Sequence, residues 1–202
     1  MIDVSRDDAV WLITLNRPDK ANSLTKAMLQ ELVQISREAQ EARAVILTGA
    51  GSVFSAGADL GEARTGLATS SLWEELSGAI AALPGMTVAA LNGTLAGGAF
   101  GMALACDIRI AAPEAKFFYP VMKLGFLPQP SDPGRLSALI GAARAKLILM
   151  GAQKITADDA LSFGLIDRIV PSDDVISEAR TLVEYAVAAP QDVAHQIKQM
   201  CL

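Results

Sequence analysis

Residues 87–106 run for twenty positions without a charged side chain, and any fold for this chain must first accommodate that stretch. Twenty apolar residues are enough to span a bilayer as one helix. Here Asn92-Gly93 breaks the run with a turn dipeptide, and Gly97, Gly98 and Gly101 weaken a continuous helix. The run therefore reads as a strand over 87–91, a turn, and a helix over 97–105. No membrane span is expected.

The neighbouring segments follow the same alternation. Residues 10–15 (VWLITL) have the β-branched and aromatic character of a strand, which Asn16-Arg17-Pro18-Asp19 ends with turn chemistry. Over 25–42 the apolar positions Met28, Leu29, Leu32, Val33, Ile35 and Ala39 fit one helical face, with Thr25 as its N-cap. Residues 44–47 (AVIL) are apolar at every position, as in a parallel strand covered on both faces. Helix is expected over 71–83, 135–140, 143–150, 156–163, 173–189 and 191–202, the last two divided at Pro190, and strand over 108–112 and 166–170. Strands alternating with helices define an α/β fold with a largely parallel sheet. No motif recurs at a 20–50-residue period, and no linker-like stretch divides the chain.

Composition removes several function classes. The net charge is −5 with no basic cluster, so nucleic acid is not expected as a partner. With 51% hydrophobic and 19% charged residues, the chain should have a large core and a subunit interface. Cys106, Cys201 and a lone His195 are too few for a disulfide framework or a structural metal site. The opening MIDVSRDDAV does not read as a signal peptide, and a reducing cytoplasm is the expected location.

Two glycine-rich loops carry the chemistry. In residues 48–60, Gly49 and Gly51 supply the first two glycines of a dinucleotide fingerprint, but Phe54 stands at the third and no helix start follows. That loop is either an ordinary connection or a place where main chain approaches a ligand closely. In residues 92–101, paired glycines open a helix. Their N–H groups can face an anionic oxygen, although close packing of helix on sheet is an equal reason for them. Two N–H groups from two separate loops are what a thioester oxyanion needs.

The loops, their order and the segments around them resemble the enoyl-CoA hydratase/isomerase, or crotonase-like, family over residues 2–170. The matching pieces are Leu15-Asn16-Arg17-Pro18, Ser55-Ala56-Gly57-Ala58-Asp59-Leu60, Asn92-Gly93 with Gly97-Gly98, Ala105-Cys106-Asp107-Ile108, and ALSFGLIDRIV over 160–170. The resemblance implies a repeated ββα spiral over residues 1–170, flanked by a C-terminal helical segment, residues 171–202, shorter than relatives usually carry. It implies acyl-CoA thioester substrates, no cofactor beyond the CoA of the substrate, and a homotrimer or hexamer. Carried over by position, the backbone N–H groups of Ala58 and Gly98 form the oxyanion hole, and Ala56, Asp59 and Leu60 belong to the loop that receives the adenine end of CoA. Arg17, Lys20 and Lys26 are either phosphate partners or solvated surface charge.

The acid/base positions depart from the family. Its hydratases carry one glutamate where this chain has Gly101 and a second where it has Val121, so both usual proton-exchanging groups are missing. Asp132 is the candidate replacement base, and its competing role is the N-cap of a helix beginning near Pro133. Tyr119 is a candidate proton donor, substrate contact or packed aromatic. Glu62, Glu74 and Glu75 follow the first loop and either reach the site from a mobile helix or, by default, lie at the solvated surface; His195 reads as surface or interface, Asp107 as a turn residue and Cys106 as a buried thiol. Two readings remain open: an enolate-forming enzyme, such as an isomerase, or an acyl-CoA-binding homologue without chemistry. A serine peptidase is set aside, since no serine stands in 97–101.

Overall fold

The computed structural model describes residues 1–7 and 9–201. Strands β1 (Ile2–Asp7) and β2 (Val10–Leu15) pair antiparallel, with Ile2 opposite Leu15. Helix α1 (Lys26–Glu38) follows, and the Thr25 side chain accepts the Met28 N–H at 3.2 Å, the N-cap expected from sequence. Three similar units come next. The first has β3 (Ala44–Gly49), β4 (Val53–Ser55) and helices α2 (Leu60–Ala63) and α3 (Leu72–Ala81). The second has β5 (Met86–Leu91), β6 (Thr94–Ala96) and α4 (Phe100–Ala105). The third has β7 (Ile108–Ala111), β8 (Lys116–Phe118), α5 (Val121–Leu124), α6 (Asp132–Ile140) and α7 (Ala142–Leu149). The chain continues through β9 (Ile155–Thr156), α8 (Ala157–Phe163), β10 (Arg168–Ile169), α9 (Val175–Ala188) and α10 (Gln191–Met200).

In each unit the longer strand enters one sheet and the shorter strand the other. The six-stranded sheet runs β1-β2-β3-β5-β7-β10 and is parallel from β2 onward. The four-stranded sheet runs β4-β6-β8-β9, with only the β8–β9 pair antiparallel. Helices carry the chain back between parallel neighbours, as a parallel pairing requires. The result is the repeated ββα spiral.

The apolar runs are explained by two layers. On β3, Val45 and Leu47 face the main core with α1 and α3, whereas Ala44 and Ile46 face a second cluster built with Val175, Ala179 and Val183 of α9. Ala89 and Leu91 of β5 divide from Val88 and Ala90 in the same way. Successive residues of a strand point to opposite faces, so a strand covered on both sides must be apolar throughout. The charge-free run is therefore β5, β6 and α4. Among the described residues no helix is long and apolar enough to cross a membrane.

Sequence periodicity misses β1, the short strands β4, β6, β8 and β9, and the one-turn helices α2 and α5. Three residues are too few to show a period of two. Where a dinucleotide fold would need a helix, residues 53–55 form β4, which disposes of that reading. Gly93 holds the turn between β5 and β6 against the preceding unit: a Cβ there would lie 2.0 Å from the Ser52 carbonyl oxygen.

Candidate active site

The two glycine loops meet at the tips of β4 and β6. Leu24 N–H donates to Gly57 O at 2.8 Å and Asp59 N–H donates to Leu24 O at 2.9 Å, a parallel bridge that turns the N–H of Ala58 itself away from Leu24. Gly98 is the second residue of a single 3-10 turn, Gly97–Ala99, whose leading N–H groups have no partner within it. The loops touch through Gly57, at φ +86°, where a Cβ would fall 2.9 Å from Ala96 O and 3.4 Å from Gly98 N. Only glycine meets both demands, the left-handed backbone and the contact.

Both loops open into a cavity of about 720 Å³, within the range of small-molecule sites. Ala56, Ala58, Leu60, Gly97 and Gly98 line it from the two loops, together with Tyr119, Val121 and residues 124–130. The walls are largely apolar, as small-molecule sites commonly are. Trp73 of α3 packs on the second loop, its indole atoms 3.0–3.1 Å from where a Gly98 Cβ would sit.

Gly101 does not leave a hole. A Cβ there would lie 2.4 Å from Gln129 Oε1 and 3.1 Å from Asp132 Oδ1, so these two side chains take the space a side chain at 101 would use. Gln129 Nε2 also donates to Gly98 O at 2.8 Å, tying the far wall to the second loop. Val121 lines the cavity with a hydrocarbon side chain that exchanges no proton.

Asp132 adopts neither arrangement expected for it. It is fully buried but does not line the cavity, lying behind Gln129 and Tyr119. Nor does it cap α6: it is the first helical residue, after Ser131, and no side-chain capping bond is made. Its Oδ2 instead accepts the Tyr119 hydroxyl at 2.9 Å. Burial pushes the Asp132 carboxyl up to about 7, against the lowering influence of Tyr119 and Arg135. Burial, reinforced by the charge of Asp132, also raises the Tyr119 phenol, which therefore keeps its proton and donates a hydrogen bond. Tyr119 stacks on Phe100 with ring centroids 5.3 Å apart, so it is both a cavity residue and a packed aromatic.

Glu74, expected at the surface, lines the cavity instead. Its Oε2 accepts the Ser131 N–H at 3.1 Å and its Oε1 the Ser131 hydroxyl. Position after the first loop allows this without deciding it, because a polar residue beside a buried Trp73 looks the same in sequence whether it faces water or a cavity. The other two glutamates are engaged elsewhere: Glu62 accepts the Lys26 N–H at 2.7 Å and Glu75 pairs with Arg37 at 2.5 Å. Arg17 is committed to protein, pairing with Asp59 at 2.8 Å and donating to Ser23. Lys20 and Lys26 are exposed.

The remaining reactive side chains lie elsewhere. Cys106 is buried at the end of α4, where desolvation pushes its thiol up to about 12, beyond nucleophilic use. His195 on α10 faces Pro84 O at 3.4 Å. Asp107 accepts Thr87 N–H at 2.8 Å and pairs with Lys198, a structural role. Among the described residues no group of three or more His, Cys, Asp or Glu is placed to hold a metal ion.

Comparison with known proteins agrees with this architecture. The family model for enoyl-CoA hydratase/isomerase matches residues 5–201. The chain is 37% identical over 197 residues to the probable enoyl-CoA hydratase echA6 of Mycobacterium tuberculosis, covering 96% of this chain and 80% of the relative. It is 34% identical to the short-chain-enoyl-CoA hydratase of Clostridium acetobutylicum, over 92% of this chain and 74% of that one. The crystal structure of enoyl-CoA hydratase from Bacillus anthracis superposes with a TM-score of 0.90 at 33% identity, covering 98% of this chain and 81% of that one. A monofunctional enoyl CoA isomerase from M. smegmatis superposes with a TM-score of 0.84 at 28% identity, over 98% and 90% of the two chains. Relatives of both activities share the fold, the spiral of ββα units is present, and nearly the whole chain is matched: this protein belongs to the enoyl-CoA hydratase/isomerase family.

Proposed function

We propose that the protein binds acyl-CoA thioesters with the thioester oxygen between the backbone N–H groups of Ala58 and Gly98, and that it stabilises an enolate there. The observation that carries this reading is the contact of the two glycine loops on the wall of a largely apolar cavity. Main-chain donors fixed before the reaction stabilise developing negative charge without reorganising, typically the largest single contribution in such sites. Ala56, Asp59 and Leu60 belong to the CoA-binding loop in this reading, and the family's trimer or trimer pair and its cytoplasmic setting come with it. Tyr119 contacts the acyl group from the far wall, with Asp132 behind it as its acceptor.

Hydration by the usual pair of carboxylates is not part of this proposal, because Gly101 and Val121 hold no proton-exchanging group. Each missing group is worth about 10²- to 10⁴-fold in rate. The same two positions favour the second reading, an acyl-CoA carrier without chemistry. Calorimetric titration with butyryl-CoA tests the site. Gly98→Val, which crowds Trp73 and the loop, should weaken binding at least about tenfold, roughly the cost of overpacking a tight contact. Unchanged affinity would remove Gly98 from the site. Product analysis with crotonyl-CoA tests the rest: rapid formation of 3-hydroxybutyryl-CoA would refute the loss of hydratase chemistry.

A further inference from the structure

We infer that Glu74 is the catalytic proton-exchanging residue of the cavity, and that the reaction it suits is movement of a double bond along an acyl-CoA rather than addition of water. This rests on the acyl-CoA reading above. Among the described residues Glu74 is the only charged side chain on the cavity wall. Its place on α3 follows from Trp73, the preceding residue, which packs against Gly98 and so brings the start of α3 alongside the second glycine loop.

The carboxylate is also oriented. Ser131 donates its N–H to one oxygen and its hydroxyl to the other. A carboxylate offers about four acceptor sites over its two oxygens, so each oxygen keeps one that Ser131 does not use. Asp132, the residue next to Ser131, has no place on the wall. The family's two glutamate positions are filled by Gly101, whose space is taken by Gln129, and by Val121.

One carboxylate limits the chemistry. Adding water to an enoyl thioester needs a group to activate the water and a proton for the neighbouring carbon, commonly from two residues. A 1,3-proton shift needs only one. In a 3-enoyl thioester, the Glu74 carboxylate takes a proton from C2, and the C2–H electron pair forms the C1=C2 bond as the thioester oxygen becomes an enolate held by Ala58 and Gly98. The dienolate then takes the same proton back from Glu74 at C4, the C2=C3 bond forms and the carbonyl is restored. No water, oxidant or second acid is consumed.

The test uses the full chain with 3-hexenoyl-CoA, followed by isomer analysis, and with hexanoyl-CoA in D₂O, followed by mass spectrometry for exchange at C2. Hexanoyl-CoA affinity is measured in parallel. Wild type should isomerise and exchange, and Glu74→Gln should reduce both at least about 100-fold, the usual worth of a general base, with affinity held. Proton transfer kept in Glu74→Gln overturns the inference, with its loss in Asp132→Asn then pointing to Asp132, and so does wild type that binds hexanoyl-CoA without isomerisation or exchange. Failure of wild type to bind hexanoyl-CoA instead overturns the acyl-CoA reading itself. Should Glu74→Gln lose affinity as well, Ser131→Ala decides. A roughly tenfold fall in kcat at constant KM, the effect of releasing an oriented base, supports the inference, and an unchanged kcat overturns it.

Discussion

The two sides of the cavity are built from different material. Residues 56–58 and 96–98 present main chain, fixed by the Leu24–Ala58 bridge and the Gly57 contact with the second loop. The rest of the lining presents side chains: Tyr119 bonded to Asp132, Glu74 bonded to Ser131, and Gln129 bonded to the main-chain oxygen of Gly98. Among the described residues, three buried side-chain atoms lack a hydrogen-bond partner: Gln129 Oε1, Asp132 Oδ1 and Arg135 Nη1. All three belong to the side-chain wall or the turn of helix behind it. The main-chain wall tolerates little change because its atoms belong to the fold, whereas the side-chain wall holds incompletely satisfied polar groups that can be exchanged without rebuilding the spiral. In the proposed function, the first holds the thioester oxygen and the second supplies the proton transfer.

The largest effect that would sharpen this contrast comes from Asp132. The folded protein keeps its carboxyl protonated up to about 7, while the ordinary value of 3.8 applies once the chain unfolds. Between those values the folded state binds more protons than the unfolded state, so stability falls as pH rises through that window, by at most about 1.4 kcal/mol per pH unit. Asp132→Asn removes the titration. Relative to wild type, the variant should gain stability between about pH 4 and pH 7 and hold the gain above it. Urea unfolding of both proteins at pH 4.5, 6 and 8 measures this, and a constant difference would show that Asp132 is not desolvated.

On the main-chain wall the corresponding break is Gly57→Val. A side chain at φ +86° is strained by about 1–2 kcal/mol, and its Cβ would press on Ala96 O at 2.9 Å, adding about 1–3 kcal/mol of overpacking. A stability loss of about 3 kcal/mol with loss of butyryl-CoA binding is expected from urea titration and calorimetry. A loss below about 1 kcal/mol, within the range of ordinary surface changes, would mean that the loops are less tightly joined than their contacts indicate.

The same division governs what could be read in the sequence. Main-chain features leave marks on residue type: Thr25 before a helical face, six apolar residues in β3, glycines at 57, 93, 97 and 98 where a Cβ would strain or collide. From these the α/β class, the helix positions and the two loops were legible. The short strands β4 and β6 were not, being too brief to show a period. The side-chain wall was largely hidden, because contacts such as Gln129 to Gly98 and Tyr119 to Asp132 join residues ten or more positions apart and depend on the path of residues 119–132. Asp132 is thus legible as a carboxylate in a Pro/Gly loop but not as one turned toward Tyr119, and Glu74 is legible as a helix residue but not as a cavity residue.

Gln129 links the two walls and should show an intermediate effect. Gln129→Ala removes the bond to Gly98 O and leaves that carbonyl to water entering the cavity. Net loss of one such bond is worth about 0.5–1.5 kcal/mol, so butyryl-CoA affinity should fall about three- to tenfold if the bond positions the second loop. Because Oε1 of this side chain is already unpartnered, stability should change less than affinity. Thermal unfolding beside calorimetry separates the two, and an affinity unchanged by Gln129→Ala would show that the loop holds its geometry without help from the far wall.

The smallest expected effect concerns Arg17, read from sequence as a phosphate partner or a solvated surface charge and found paired with protein. Its Nη1 donates to Asp59 Oδ2 at 2.8 Å and to Ser23 O at 3.1 Å, and the Asp59 carboxyl is held below its usual range, chiefly by the hydrogen bond from Arg17. A guanidinium so engaged latches the first loop at Asp59, next to Ala58, and has little charge to offer a mobile phosphate. Partly solvated ion pairs contribute little, so Arg17→Gln should weaken acyl-CoA binding by only about two- to fivefold. The salt dependence of binding distinguishes the roles. Release of a direct phosphate contact would flatten the dependence on ionic strength, because an exposed charge acting on CoA is screened over about 10 Å at 0.1 M salt. Loosening a latch lowers affinity equally at low and high salt. Parallel affinity curves for wild type and Arg17→Gln between 50 and 500 mM salt, about a threefold change in Debye length, are the expected result; a flatter curve for the variant would return Arg17 to the phosphates and leave Asp59 as a competitor for it.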